Sequence, residues 1–241
     1  MIGGFVMITT GQTTGQAVNH PPSYRWIGVT ALIAAAVAFS VYPVMRGFGS
    51  EAGLLGATLY ARPAWLAAHC LGMVGFVLTA IGLRRIDEWA HRLAWAAAIG
   101  VLPYYGAEAF GLHALGTVAL RNRDAGMIAA ADGFRYQPVA MIIFGAGLIL
   151  LALAGVRLLL LIRRPARIVD RSGLALTGLA LLSYLPQFFA GIELRIVHGA
   201  VLAVGLLLLA ASAPRWGDAG GTNATADEVT HADTRQEGAQ L

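Results

Sequence analysis

Residues Pro63 to Leu83 read PAWLAAHCLGMVGFVLTAIGL, a stretch that contains no Asp, Glu, Lys or Arg. A helix of this length rises about 1.5 Å per residue and is therefore about 30 Å long, which is the thickness of the hydrocarbon core of a bilayer. Within such a helix the backbone hydrogen bonds are satisfied locally, as a lipid environment requires. The stretch therefore predicts a transmembrane helix.

Similar apolar stretches recur along the 241-residue chain, of which 57% is hydrophobic and 12% charged. Soluble domains carry about 25% charged residues, and disorder requires low hydrophobicity, so both are excluded for most of the chain. We predict an all-α fold, a polytopic bundle of six transmembrane helices within a domain of residues 25–212. A polar N-terminal segment (1–24) precedes it, and residues 213–241 predict a disordered cytoplasmic tail. The six predicted spans are 26–43, 63–83, 93–113, 137–162, 173–190 and 194–212.

The basic residues predict the orientation of these spans. All 17 are arginines, a composition typical of GC-rich bacterial genomes. The positive-inside rule places the side with more arginines in the cytoplasm, which predicts a multi-pass protein of the bacterial cytoplasmic membrane with both termini inside. The cytoplasmic set comprises Arg25, Arg84, Arg85, Arg92, Arg163, Arg164, Arg167, Arg171 and Arg215, against Arg46, Arg62, Arg121, Arg123, Arg135 and Arg195 outside.

Several classes of function are disfavoured by the same pattern. The arginines lie between apolar runs rather than in a basic patch, which argues against nucleic-acid binding. Cys70 is the single cysteine, so an intrachain disulfide is excluded and a thiolate metal site is disfavoured. The inner halves of the spans contain little that is polar beyond Thr79 and Thr177, whereas a transporter needs a site near the midplane with access from both sides.

Polar residues inside the spans are costly in lipid and are therefore the candidates for function. His69 lies about 9 Å past the start of the second span, and Glu108 lies about 7.5 Å before the end of the third. Other polar side chains fall at a similar depth in the outer third of the membrane. The full set of predicted ligand-binding or metal-binding residues is His69, Tyr104, Tyr105, Glu108, Gln187, Arg195 and His198.

Three chemical interpretations use these residues. His69, Glu108 and His198 supply two imidazoles and a carboxylate, which can bind a divalent metal and permit hydrolysis. Alternatively, His69 and His198 can be the axial ligands of a b-type haem in a redox protein. A third interpretation is a polar pocket for a lipid or quinone headgroup, in which the tyrosines and Gln187 supply hydrogen bonds.

The same residues carry a resemblance to a known group of proteins. The second span begins with a W-x-x-x-H motif, Trp65 to His69. The third span ends near the embedded Glu108, and the last span begins with an R-I-x-H-G segment, Arg195 to Gly199. In this respect residues 25–212 resemble a group of uncharacterised actinobacterial integral membrane proteins. The resemblance implies a six-helix fold and no established activity.

The expected function is therefore general. We expect an integral membrane protein, surrounded by the lipid bilayer, whose outward-facing polar site binds a small ligand or a metal. A membrane-embedded hydrolase or haem protein is the enzymatic alternative. The other alternative is a structural subunit of a membrane complex, in which the polar residues only pack the helices.

Overall fold

The computed structural model describes residues 23–164 and 167–216, and its regular elements there are helices without any strand. The all-α prediction is therefore confirmed for this part of the chain. The predicted polar segment before residue 23 and most of the predicted disordered tail lie outside the described residues. The last helix runs to Trp216, so residues 213–216 belong to that helix and not to the tail.

Ten α-helices follow one another along the described chain. They are α1 (Ser23–Arg46), α2 (Gly53–Tyr60), α3 (Pro63–Leu83), α4 (Glu88–Gly106), α5 (Leu112–Asn122), α6 (Ala130–Arg135), α7 (Pro138–Leu161), α8 (Ile168–Leu182), α9 (Tyr184–Gln187) and α10 (Ile192–Trp216). A π-helical turn, Ala107–Gly111, joins α4 to α5, and a 3₁₀ turn, Ala125–Ala129, precedes α6.

Four of these helices are long and apolar enough to cross a membrane: α1, α3, α7 and α10. The α3 helix has the predicted bounds at both ends. Its first residue is Pro63, which suits a helix start because proline has a fixed φ and the first turn needs no N–H there. Pro138 begins α7 in the same way, one residue after the predicted start.

The predicted fifth span, 173–190, is not one continuous helix. The α8 helix ends at Leu182, and Ser183 separates it from the single turn of α9. Pro186 explains the break, because proline in a helix interior lacks the donor N–H and clashes with the carbonyl four residues earlier. With 15 residues, α8 is about 22 Å long, shorter than the hydrocarbon core.

The predicted third span, 93–113, is part of a much longer helical segment. The chain stays helical from Glu88 through the π turn to Asn122. The helix continues past His113, the predicted end of the span, because Leu112 and Ala119 are fully buried against the neighbouring short helices. Two of the six predicted spans do not meet the length and apolarity of a membrane span: the first turns of α4 are charged, and α8 is too short. Four helices of the described chain therefore meet both criteria.

The six long helices form a closed ring in chain order: α1, α3, α4, α7, α8, α10 and back to α1. Neighbours run antiparallel. Arg46 at the end of α1 stacks on Trp65 at the start of α3, and Tyr104 at the end of α4 stacks on Phe144 near the start of α7. The helix ends near Arg46 and Trp65 form what we call the cap end of the bundle, and the opposite end, where α1 begins and α10 ends, is the termini end.

Small residues permit close approach between neighbours in the ring. A β-carbon on Gly155 of α7 would lie 2.5 Å from the carbonyl oxygen of Gly178 on α8, so the two backbones touch. Such contacts are typical of helix pairs in lipid, where small residues replace a hydrophobic driving force. The outward faces are apolar and exposed, as for Ile99 (71%) and Ile142 (69%).

An ion pair fixes the termini end. Arg157 of α7 donates two hydrogen bonds to Asp87, at 3.0 and 2.8 Å, and Asp87 also accepts from the backbone N–H of Ala90 as the N-cap of α4. Burial raises the pKa of Asp87, but these hydrogen bonds outweigh it and hold the pKa below its ordinary value. The long side chain of Arg157 thus reaches from the last turns of its helix to the loop before α4.

Candidate functional site

A small helical cap covers the cap end of the bundle. It consists of α2, α5, the 3₁₀ turn and α6, which pack on one another around their own apolar core. Tyr60 and Trp65 are fully buried at the base of this core, with ring centroids 4.8 Å apart. The connections at the cap end are therefore folded elements, and the charged residues they carry have defined positions.

Glu108 lies in the π turn between α4 and α5 and is 7% exposed. A π turn inserts one residue into a helix and changes which side chains face inward, and such turns are frequent at functional sites. The Nε1–H of Trp65 donates to the backbone carbonyl of Glu108 at 2.8 Å, which ties the turn to α3. The embedded carboxylate predicted from the sequence is thus buried beneath the cap.

Arg135, at the end of α6, clamps this carboxylate. Its Nε and Nη2 donate to the two carboxylate oxygens of Glu108 at 2.6 and 2.9 Å, a bidentate geometry in which both side chains are largely buried. Burial lowers the pKa of Arg135, but Glu108 more than compensates and raises it above its ordinary value. Buried charge is tolerated here because its partner is hydrogen-bonded to it on two atoms.

Glu51 connects this ion pair to Arg46, and we call the four side chains Arg46, Glu51, Glu108 and Arg135 the charged network. It accepts from Nη2 of Arg135 at 3.0 Å and from Nη2 of Arg46 at 2.5 Å. Burial raises the pKa of Glu51, but the charges of Arg46 and Arg135 outweigh it and lower the pKa below its ordinary value. The hydroxyl of Tyr60 donates to Glu51 at 3.1 Å and accepts from Arg135 at 3.2 Å. Burial raises the pKa of this tyrosine, which keeps the hydroxyl protonated.

A cavity of about 200 Å³ lies directly below this network, between the cap and the bundle. Five of the predicted side chains, which come from four different parts of the chain, line this one space. Those five are His69, Tyr104, Tyr105, Glu108 and Arg195; the rest of the lining is Tyr42, Arg46, Glu51, Arg135, Tyr136 and Phe188.

A smaller cavity of about 30 Å³ adjoins the first between α1, α9 and α10. The two share Tyr42, Arg46, Phe188 and Arg195. The remaining predicted residues, Gln187 and His198, line this smaller space. It has room for about one water molecule.

The predicted metal site is not formed. Glu108 is held by Arg135, His69 donates from Nδ1 to the carbonyl of Trp65 at 2.8 Å, and Nε2 of His198 is 2.9 Å from the carbonyl of Ala180. Across residues 23–164 and 167–216, no group of three or more His, Cys, Asp or Glu side chains is placed to hold a metal ion. His69 and His198 lie at a similar depth, but the rotation of their helices directs the two side chains to different cavities.

The geometry also does not favour a haem between His69 and His198. The His69 ring is enclosed by Trp65, Tyr42 and Tyr105, with centroid distances of 4.4 to 5.9 Å. The two histidines line different cavities, and the larger, at about 200 Å³, is below the roughly 300–1,000 Å³ of pockets for drug-sized ligands. A macrocycle needs more space than this.

A third cavity, of about 520 Å³, lies within the cap on the other side of the charged network. It shares Glu51, Arg135 and Tyr136 with the 200 Å³ cavity. These residues therefore form the partition between the two spaces.

Sequence reasoning missed three of the four charged residues of this network: Arg46, Glu51 and Arg135. The sequence analysis used Arg46 and Arg135 only to predict orientation and did not single out Glu51. One signal was available: Glu51 and Arg135 each lie within a few residues of aromatic positions in loops that also contain apolar residues able to form a core. The contact between these loops depends on the cap fold, which no local pattern predicts.

Comparison with protein-family models, with curated proteins and with solved structures finds no match to this chain.

Proposed function

We propose that this chain is a multi-pass protein of the bacterial cytoplasmic membrane whose outward-facing cavity binds a small polar ligand. The cavity between cap and bundle carries the proposal. Charged, hydroxyl-bearing and imidazole side chains from α1, α3, α4, α6 and α10 converge on it, and such convergence in one concave space is typical of ligand sites. A volume of about 200 Å³ suits a ligand of a few non-hydrogen atoms.

The transmembrane arrangement is part of the proposal. All six ring helices cross the membrane, with α4 and α8 completing a ring whose other four members are long enough on their own. Antiparallel neighbours in an even-numbered ring place both termini on one side. The arginine distribution supports a cytoplasmic position for that side and an external position for the cap.

Reporter fusions test this orientation. Reporters that follow Ile86 and Arg164, at the termini end, are expected to read cytoplasmic, and a reporter that follows Asn122, in the cap, is expected to read external. The physical reason is the retention of arginine-rich loops on the cytoplasmic side. Reversed readings would place the cavity on the cytoplasmic side and contradict the proposal.

Cysteine labelling tests whether the cavity is open to the outside. In a Cys70→Ala background, Tyr104→Cys is expected to react with a charged, membrane-impermeant maleimide added to the outside of intact cells, because Tyr104 lines the cavity. The matched control is Ile99→Cys on the same helix, which is exposed on the lipid-facing side and is expected to remain unlabelled by a charged reagent.

The labelling outcomes separate the alternatives. Reaction of Tyr104→Cys from outside, without reaction of Ile99→Cys, supports an external water-filled site. Equal reaction of the two, or reaction of Tyr104→Cys only in inside-out vesicles, contradicts the proposal. Absence of labelling in both favours a structural subunit whose polar residues only pack the helices.

A further inference from the structure

The charges around the cavity do not balance. Three arginines, Arg46, Arg135 and Arg195, face the carboxylates of Glu51 and Glu108, which leaves a formal charge of +1. The two carboxylates are paired with Arg46 and Arg135. In the part of the chain that the structure describes, Arg195 has no carboxylate within ion-pair distance. The excess positive charge therefore lies on the α10 side of the cavity.

Arg195 is held in place by backbone carbonyls rather than by an acid. Its Nε donates to the carbonyl of Ala190 and its Nη2 to that of Phe188, in the irregular segment after α9. Both carbonyls belong to the short segment between α9 and α10, where these bonds give them partners. They do not neutralise the guanidinium, and within residues 23–164 and 167–216 its Nη1 donates to no protein atom.

The surroundings of Arg195 increase the positive potential. It lies in the first turn of α10, whose N-terminal end carries a partial positive charge from unpaired N–H groups. The acidic residue of that turn, Glu193, is exposed and lines neither cavity. A second arginine, Arg46, lines both cavities together with Arg195. Arg46 binds Glu51 through Nη2 alone, so in the described structure the other N–H groups of its guanidinium are available to a ligand. Tyr42 lines the same two spaces and adds a hydroxyl group.

We propose that the cavity binds a phosphate group, held between the guanidinium groups of Arg195 and Arg46. Arginine forks match the oxygens of phosphate with paired hydrogen bonds, and an excess of one positive charge suits a bound anion. This inference rests on the proposed function of the same cavity. The phosphate group belongs either to a free solute or to the headgroup of an anionic phospholipid.

The test measures stabilisation of the purified full-length protein in neutral detergent. Graded inorganic phosphate, exchanged against chloride at constant ionic strength, is expected to raise the melting temperature in a saturable way, because a ligand that binds only the folded state stabilises it. In a parallel series, short-chain phosphatidic acid replaces phosphate. Tighter binding of the lipid identifies a headgroup as the source, and tighter binding of phosphate identifies a solute.

Two variants locate the anion. Arg195→Gln keeps donors for the backbone carbonyls but removes the charge, and Arg46→Gln removes the second charge. Each is expected to raise the Kd for the better of the two probes by about tenfold or more, since hydrogen bonds to charged groups are the strong ones. The matched control is Arg121→Gln, an exposed arginine on α5 that is outside both cavities and is expected to leave the Kd unchanged.

The outcomes decide the proposal. Absence of saturable stabilisation by either probe overturns it, as does equal binding in Arg195→Gln, Arg46→Gln and wild type. If Arg195→Gln does not fold, Arg195→Lys replaces it, which keeps the charge without the fork and is expected to weaken binding. External labelling of Tyr104→Cys combined with no phosphate effect would refute the phosphate inference alone and leave the proposed function standing.

Discussion

Replacement of Arg135 by methionine is expected to lower the free energy of unfolding by about 3–5 kcal/mol, because it leaves the buried carboxylate of Glu108 without its partner. Both oxygens of Glu108 accept from Arg135, and the side chain of Glu108 is 9% exposed. The same change removes one of the two arginines that neutralise Glu51. The measurement is equilibrium unfolding in mixed micelles, with thermal melting as a second readout.

The double variant Arg135→Met, Glu108→Gln provides the rescue. With the buried charge removed from both partners, most of the lost stability is expected to return, because a buried ion pair is often worth no more than a neutral replacement. Arg121→Met is the control for loss of an exposed arginine, and its effect is expected to stay within about 0.5 kcal/mol. A single variant as stable as the wild type, or a double variant no better than the single, would contradict the described network.

Substitution of Gly155 by leucine is expected to cost about 3 kcal/mol or to prevent assembly of the bundle, the second large effect. The new β-carbon would lie 2.5 Å from the carbonyl oxygen of Gly178 and 2.8 Å from the backbone nitrogen of Leu182. Backbone atoms cannot rotate away as a side chain can, so α7 and α8 must separate. The yield of monodisperse protein and its melting temperature are the measurements.

Gly145 on the same helix is the matched control. A β-carbon there would meet no atom within 4 Å, so Gly145→Leu is expected to preserve the fold. Leucine is also a better helix former than glycine. If the two leucine variants lose stability equally, the cause lies in the helix itself and the close approach of α7 and α8 is wrong.

Hydropathy predicted the bounds of the most uniformly apolar helices well. The α3 and α7 helices are uniform apolar stretches bounded by Pro63 and Pro138, and their predicted bounds hold to within a residue. The α8 helix was predicted poorly because Pro186 breaks the helix inside an apolar run, where hydropathy does not change. The extension beyond His113 was missed because it is stabilised by tertiary burial in the cap.

The candidate site was predictable in depth but not in chemistry. Counting residues from the span ends placed His69 and Glu108 at similar depths, and the structure brings both to one cavity. A common depth does not fix the rotation of each helix: His198 lines the smaller cavity and its Nε2 is 2.9 Å from the carbonyl of Ala180, so it does not meet His69 and Glu108. The partner of Glu108 is Arg135, 27 residues away, and Arg135 also binds Glu51, 84 residues before it; only the folded cap brings these segments together.

The closed ring has a consequence for the order of events during synthesis. The α1 helix leaves the ribosome first, yet one of its two neighbours in the ring is α10, the last to emerge. Until α10 arrives, Tyr42 and Arg46 have no wall opposite them, because Arg195 belongs to α10. At about 5–20 residues per second, the nascent protein therefore spends many seconds as an open arc. Both cavities are incomplete until α10 packs beside α1.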